Sequence, residues 1–338
     1  MTHGTTPHPH HAGHVDLGDA ELNERISAGL TAVENLLEVE LAKGEDFLVD
    51  KVMHLTTAGG KRFRPMMALL ASQYGPDAGS ANVIKAAASL EIVHLATLYH
   101  DDVMDEAELR RGVDSANARW DNAVAILAGD ILFAHASRLM SELDTHTVAH
   151  FATTFQDLVT GQMRETIGAG DRDPIEHYLD VIAEKTGVLI ASSGYLGAYH
   201  AGASEEHADA LHKIGMAVGM IFQIVDDIID IFSAHEQSGK TPGTDLREGV
   251  FTLPVLHALS EEGHVGDELR ALLTGPLTSD ADIDRALDLL GRSQGRQKAL
   301  ADVHRYLAEA NTQISRLPEC AATDALRLLA EYTIRRVG

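Results

Sequence analysis

From about residue 18 onward, apolar residues return at every third or fourth position, the spacing of a helix that buries one stripe. Leu22-Ile26-Leu30-Val33-Leu36-Leu37 and Val303-Tyr306-Leu307-Ala310-Ile314 are two such stripes. Ala, Leu, Glu and Met, all strong helix formers, dominate the chain, and alternating runs of β-branched and aromatic residues are scarce. Turn chemistry interrupts the pattern at Thr57-Ala-Gly-Gly60, Tyr74-Gly-Pro-Asp77, Gly168-Ala-Gly-Asp171, 238–243, Glu262-Gly263 and Gly275-Pro276. Two segments, near 80–106 and 205–234, are apolar on nearly every face, which predicts helices enclosed by other helices. The expected fold is all-α, a single large helical bundle around a deep central cavity. No linker-like stretch follows residue 15, so 15–338 reads as one domain, although single cores usually split beyond about 250–300 residues. Residues 1–14, with His3, His8, His10, His11 and His14 among Gly and Pro, read as a disordered tail, their irregular spacing arguing against a metal site.

Both enclosed helices lead into the same signature, Asp101-Asp102-Val-Met-Asp105 and Asp226-Asp227-Ile-Ile-Asp230. Ionised carboxylates in apolar surroundings are costly unless something cationic compensates them. Acids at i and i+4 share a helix face, with Cβ atoms about 5–6 Å apart. One such cluster is as readily a helix-end cap as a site, but two copies, each after an enclosed helix, point to metal. Neither copy has the alternating oxygen ligands, central Gly and distal Glu of an EF-hand. All-carboxylate donors favour Mg²⁺ or Mn²⁺ over Zn²⁺, and Mg²⁺ keeps positions for water and phosphate oxygens. A diphosphate is the natural third party.

The charge balance makes the few cationic groups informative. Against 51 Asp+Glu stand 27 Lys+Arg, a net charge of −24, which argues against a nucleic-acid partner. In Gly59-Gly60-Lys61-Arg62-Phe63-Arg64-Pro65 the glycines relax the backbone and Pro65 suits the first turn of a helix. Lys61 and Arg64 then meet at a helix N-terminus, which favours anions, with a solvated basic loop as the bland alternative. Arg110-Arg111-Gly112 follows the first acids, and adjacent arginines point to different sides, one towards a metal-bound diphosphate and the other towards a second anion. Lys185-Thr186 and Gly239-Lys240 add donors. His94 lies two helical turns before Asp101 on nearly the same face, where a satisfied core histidine is the commoner fate. Gly168-Ala-Gly170 lacks a preceding strand and carries no dinucleotide reading. With one cysteine, Cys320, no intrachain disulfide forms. No signal-like start and no apolar run of about 18 residues is evident, so a cytoplasmic location is expected.

The ordered set G-G-K-R-x-R-P, H-x(6)-D-D-x-x-D-x(4)-R-R-G, K-T, F-Q-x-x-D-D-x-x-D, G-K-x-x-G-x-D-L and G-x-x-T-L-P resembles the trans-isoprenyl diphosphate synthases, or polyprenyl synthetases. It spans residues 59–254, and the helical pattern extends the likeness over about 20–338. The resemblance implies an isoprenoid-synthase-type bundle that adds isopentenyl diphosphate head-to-tail (1′–4) to an allylic diphosphate with Mg²⁺, or Mn²⁺, as cofactor. Asp101, Asp105 and Asp226 would then ligate magnesium, with Asp102, Asp227 and Asp230 in direct or water-mediated support. Arg110, Lys185 and Lys240 would hold the allylic diphosphate, helped by Thr186 and Gln223. Lys61, Arg64, His94 and Arg111 would hold isopentenyl diphosphate in a metal-free site. Many members carry Lys where this chain has Val250, so one cationic donor is missing or supplied elsewhere.

Product length is read one turn before Asp101, at Ala96 and Thr97, where aromatic residues in this family form a floor. Both are small, which predicts a product of medium to long chain, around C30 to C50, as readily as it marks plain helix packing. Phe133, Met140, Phe151 and Phe155 are candidates for a deeper floor. The alternatives are a short-chain farnesyl or geranylgeranyl diphosphate synthase, a class I terpene cyclase, whose second metal motif is of a different type, and an inactive partner subunit, which would have lost aspartates. Apolar helical faces in the first 45 residues predict a homodimer, with peripheral membrane contact as a route for product release but no transmembrane span.

Overall fold

The computed structural model describes residues 16–232 and 243–335, and there the chain is helical apart from one two-stranded hairpin. The His-rich segment 1–14 and Lys240 lie outside the described residues. The chain divides into two compact units. One is built from the residues up to Phe151 with Ser193–Ala208, the other from Ala152–Ser192 with the residues from Asp209 onward.

In the first unit, α1 (Ala20–Leu41) starts at Asp19, whose carboxylate accepts the Leu22 N–H at 2.8 Å, an N-cap. It buries Leu22, Ile26, Val33, Leu37 and Leu41. Short α2 (Asp46–Val52) and α3 (His54–Thr57) lead to α4 (Phe63–Ser72), which is buried from Pro65 to Ser72. α5 (Ala81–Met104) begins at Ser80 and is enclosed along most of its length, as its unbroken apolar sequence demands. Fully buried Tyr99 donates its hydroxyl to the Lys51 carbonyl at 2.5 Å and accepts from the Leu55 N–H at 3.3 Å, tying α5 to α2 and α3. After β1 (Leu109–Arg110), β2 (Val113–Asp114) and α6 (Ala116–Arg119), α7 (Asn122–Ser141) packs along α5 through Ala125, Ala128, Gly129, Leu132 and Ala136. Fully buried Glu40 of α1 is met by Lys43 at 2.7 Å, by His135 at 3.0 Å and by Arg138, so α1 and α7 are joined by a compensated charge.

α8 (Thr145–Ile167), α9 (Pro174–Ile182), a π-helical turn (Ala183–Gly187) and α10 (Val188–His200) follow, then α11 (Glu205–Phe232). In the second unit, α11 presents Met220, Ile221, Ile224, Val225 and Ile228 to Ile182, Leu253, Ala299 and Val303. The remaining helices are α12 (Thr244–Glu248), α13 (Leu253–Leu259), α14 (His264–Leu272), α15 (Asp280–Arg292), α16 (Gly295–Ile314) and α17 (Ala321–Ile334); α12 to α15 add a neighbouring cluster around Leu246, Val255, Leu269 and Leu289.

Two helices, α5 and α7, are apolar and long enough by composition to cross a membrane, which the criterion of an unbroken apolar run overlooks because each carries a few polar residues. In α5 most of that window is buried within the protein, 67%, against 39% in α7. On α1, Leu22, Ile26, Val33, Leu37 and Leu41 are buried inside its own unit, Leu30 and Leu36 are half-buried and Val39 is exposed.

Helix α10 meets α4 at Gly197, where an added Cβ would run into the Ala68 carbonyl oxygen. Backbone lies on both sides and neither can yield cheaply. Gly197→Ala is expected to cost about 1–3 kcal/mol, read as a lower urea midpoint with an unchanged m-value.

Candidate active site

In the first unit the acids occupy the last turn of α5. Asp101 is half-buried, Asp102 fully buried, and Asp105 is the exposed C-cap residue, its N–H donating to the Asp101 carbonyl at 2.8 Å. Arg110 Nε donates to Asp102 Oδ1 at 2.6 Å, while Asp102 Oδ2 is buried without a hydrogen-bond partner. Burial pushes the Asp102 carboxyl above the usual carboxylate range, against the pull of Arg110. An orphaned buried oxygen of this kind calls for a water or an ion.

Arg110 and Arg111 diverge because Arg110 ends a strand and Arg111 is the first residue of a two-residue hairpin loop. Arg111 (φ 54°) and Gly112 (φ 78°) are both left-handed, as a type I′ turn requires. Arg111 Nη1 donates to the Leu55 carbonyl at 3.0 Å and to that of Gly59. Its guanidinium lies against Gly60, where a Cβ would come within 3.0 Å, which explains the second glycine of the Gly59-Gly60 pair. Beneath it sits buried Glu91, whose Oε1 accepts from Arg62 Nη1 at 3.0 Å and lies 3.9 Å from Arg111 Nη2. Arg62 also holds Glu34 and the Thr56 carbonyl, so this buried arginine is a structural tie. Burial lowers the Arg64 guanidinium to about 10, Glu91 opposing and Arg111 adding to the shift, and its Nε is buried without a partner. His94 is driven well below the usual imidazole range, first by burial and then by the charges of Arg64, Arg111, Arg62 and Arg110. Arg64, His94 and Arg111 thus form one cationic nest around a neutral imidazole, with exposed Lys61 just ahead of it in the chain.

One turn before the acids, Ala96 is fully buried, and Thr97 turns its hydroxyl back to the His94 carbonyl at 2.8 Å. Phe133 and Phe151 face each other with ring centroids 6.3 Å apart, and Met140 is buried. Phe155 belongs to the other unit.

In the second unit Asp226 is half-buried, whereas Asp227 and Asp230 are only 4% and 6% exposed. Both Asp227 oxygens are bound: Gln223 Nε2 donates to Oδ1 at 3.1 Å and the Tyr178 hydroxyl donates to Oδ2. Thr186 Oγ1 donates to Gln223 Oε1 at 3.2 Å. Burial pushes Asp227 up to about 7 despite these donors. Asp230 caps the start of the next segment, accepting the Gly243 N–H on its carbonyl at 3.0 Å and the Asp245 N–H on Oδ2 at 3.4 Å. Lys185 and Thr186 lie in the π-helical turn, whose wider bore re-aims side chains and often marks functional sites. The turn is clamped between glycines: a Cβ on Gly161 would meet the Lys185 nitrogen at 2.8 Å, and one on Gly219 would meet Gly187 Cα at 2.8 Å. Lys185 is paired with Glu165 of α8. Val250 is 43% exposed and offers only its N–H, to the Asp245 carbonyl at 2.8 Å.

Among the described residues no three His, Cys, Asp or Glu side chains are gathered closely enough to hold a metal alone. The carboxylates nonetheless fit a hard cation of the magnesium type, which takes one or two from protein and completes its shell with water and phosphate. Paired acids beside arginines, lysine and a neutral imidazole suit a substrate carrying phosphate rather than one recognised by a protein base.

A family model described as Polyprenyl synthetase matches residues 45–290. The chain belongs to the polyprenyl synthetase family. Nonaprenyl diphosphate synthase of Mycobacterium tuberculosis is 50% identical over 96% of this chain and 97% of its own. A solved structure of geranylgeranyl pyrophosphate synthase from Corynebacterium glutamicum, complexed with calcium and isoprenyl diphosphate, superposes with a TM-score of 0.89 at 66% identity over 96% of this chain and 100% of its own. Heptaprenyl diphosphate synthase from Staphylococcus aureus does so at 0.83 and 29% identity, covering 91% and 97%. The polyprenyl synthetase is therefore a prenyltransferase with the all-helical fold of these enzymes.

Sequence patterns did not mark Tyr178, Gln162 or Glu165, and Asp245, the acid of G-K-x-x-G-x-D-L, was given no role. Gln162 follows the glycine that admits the π turn and has a buried Oε1 without a hydrogen-bond partner, Glu165 receives Lys185, and Asp245 raises Asp227 electrostatically. A Gly-Gln pair inside an otherwise regular helix, with Glu three residues on, was the available signal.

The native state refuses a proton at His94 that the unfolded chain accepts below about pH 6.5. This contribution to stability is present at neutral pH and is lost as pH falls below that value. His94→Gln should flatten the fall in unfolding free energy between about pH 6.5 and 5 relative to the native chain, measured by urea titration at each pH.

Proposed function

We propose that this polyprenyl synthetase elongates an allylic diphosphate by head-to-tail (1′–4) addition of isopentenyl diphosphate in a magnesium-dependent reaction, with 15–338 acting as one catalytic domain in the cytoplasm. The observation that carries the reading is the pairing, within one unit, of an acid cluster at the end of α5 with a separate nest of Arg64, His94 and Arg111. One anion site is thereby tied to metal and the other is independent of it, which a reaction between two diphosphates requires.

Asp101, Asp105 and Asp226 would hold the magnesium ions, manganese being the closest substitute. When bound, the metal supplies positive charge against the negative charge that grows on the departing diphosphate. Arg110, Lys185, Lys240, Thr186 and Gln223 bind and orient the allylic diphosphate. Arg64, His94, Arg111 and Lys61 hold isopentenyl diphosphate, the neutral imidazole donating a hydrogen bond without adding charge. Donors fixed in advance by Glu91, Glu165 and Asp102 cost no reorganisation as the carbon–oxygen bond breaks. The proton lost at the end goes to the released diphosphate, and among the described residues no side chain is assigned as a base.

A medium-to-long product, about C30 to C50, is supported by the small size of the side chains at Ala96 and Thr97 and by the likeness to a nonaprenyl diphosphate synthase, while the full burial of Ala96 is what plain helix packing also gives. The 66% identity to a geranylgeranyl pyrophosphate synthase favours the shorter product instead. A second copy of the chain is the natural cover for exposed Ile126 and Leu127 on the half-enclosed α7.

Asp101→Ala is expected to lower kcat/KM by several orders of magnitude, about 4 kcal/mol or more, at saturating Mg²⁺, whereas Asp230→Ala should cost less. Near-native turnover in the first variant would overturn the metal assignment. Ala96→Phe should shorten the product, resolved by chromatography of radiolabelled chains from several primers; an unchanged distribution would remove α5 as the length determinant.

A further inference from the structure

We propose that Tyr178 is a positioning residue for the second acid cluster, acting through an Asp227 that serves as an anchor and not as a metal ligand. The inference rests on reading Asp226 as a ligand. Although Asp227 belongs to the repeated signature, its two oxygens are committed within its own unit: Oδ1 to the Gln223 amide at 3.1 Å and Oδ2 to the Tyr178 hydroxyl. At 4% exposure it has little surface left for a third partner. Three segments meet at this carboxylate. Tyr178 comes from α9, started by Asp173 accepting the Ile175 and Glu176 N–H groups at 3.0 and 2.9 Å. Gln223 lies one turn before Asp227 on α11. Through Gln223, Thr186 at 3.2 Å brings in the π turn that also carries Lys185.

The geometry points to a specific division of labour. Asp226 and Asp227 are neighbours on one helix, so tying Asp227 to α9 holds the rotation of α11 about its axis and with it the side from which Asp226 leaves the helix. The same chain of hydrogen bonds sets the π turn, and with it Lys185, against that helix. Removing the Tyr178 hydroxyl leaves a buried carboxylate oxygen without its donor, which a neighbouring group or water must then satisfy by moving. Replacing Asp227 with Asn is gentler. The Asn oxygen still accepts from Tyr178, the Gln223 amide turns over to accept from the Asn NH₂, and the Thr186 hydroxyl reverses to accept in turn.

The test uses the full chain and four proteins: native, Tyr178→Phe, Asp227→Asn and Asp226→Asn. Binding of Mn²⁺ together with inorganic pyrophosphate is measured by calorimetry and by the Mn²⁺ electron-spin signal, with thermal melting and steady-state kinetics alongside. Groups that orient metal ligands typically matter by about 10- to 100-fold in metal affinity. Tyr178→Phe is accordingly expected to weaken Mn²⁺–pyrophosphate binding by about tenfold and to lower kcat with little change in KM for isopentenyl diphosphate. Asp227→Asn should weaken binding clearly less than Asp226→Asn. If Asp227→Asn loses as much as Asp226→Asn, Asp227 is itself a ligand and the proposal fails. If Tyr178→Phe melts lower yet binds Mn²⁺ and pyrophosphate like the native chain, Tyr178 is structural only and the proposal fails. If Asp226→Asn binds like the native chain, the metal reading of the cluster fails, and the positioning role with it.

Discussion

A charge survives among apolar helices only when an opposite charge or a full set of hydrogen bonds accompanies it, and every functional group of this enzyme answers to that constraint. Glu91 is tolerable inside the first unit because Arg62 and Arg111 converge on it. Asp102 is tolerable because Arg110 spans to it, and Asp227 because Tyr178 and Gln223 saturate it. Among the described residues seven buried side-chain atoms lack a hydrogen-bond partner, and three of them, Asp102 Oδ2, Arg64 Nε and Gln162 Oε1, belong to residues at or beside the groups assigned to metal and diphosphate.

The two units reach similar chemistry by different backbone devices. The first uses left-handed residues, Arg62, Arg111 and Gly112, to turn side chains sharply away from their neighbours. The second keeps its helices continuous and inserts a π turn, held by glycines on α8 and α11, to aim Lys185 and Thr186. Strain is thus concentrated next to the polar groups that need unusual directions, while the long helices remain regular.

Much of this was legible in the chain. The helix periodicity, the two enclosed helices and their terminal acids follow from spacing alone, the scarcity of basic residues made Arg64 and Arg111 stand out, and His94 gained its role only through the family resemblance. What stayed hidden depends on register. Arg62 and Arg64 look equivalent in sequence, yet one is consumed by Glu34 and Glu91 while the other keeps an unpartnered nitrogen. The hairpin at 109–114 has two-residue strands, too short for any alternation to show. The π turn leaves no mark on the apolar pattern, and Tyr178 looked like one more aromatic on an amphipathic helix. Periodicity shows that a face such as that of α1 is apolar, not what covers it.

The hairpin that separates Arg110 from Arg111 has its own consequence. Arg110 ends the first strand and Arg111 opens the turn in a left-handed conformation, so sliding the loop by a single position would move Arg110 into the turn and redirect both guanidiniums. Length there is consequently as rigid a requirement as residue identity: a one-residue insertion would preserve the composition of the segment and still miswire it.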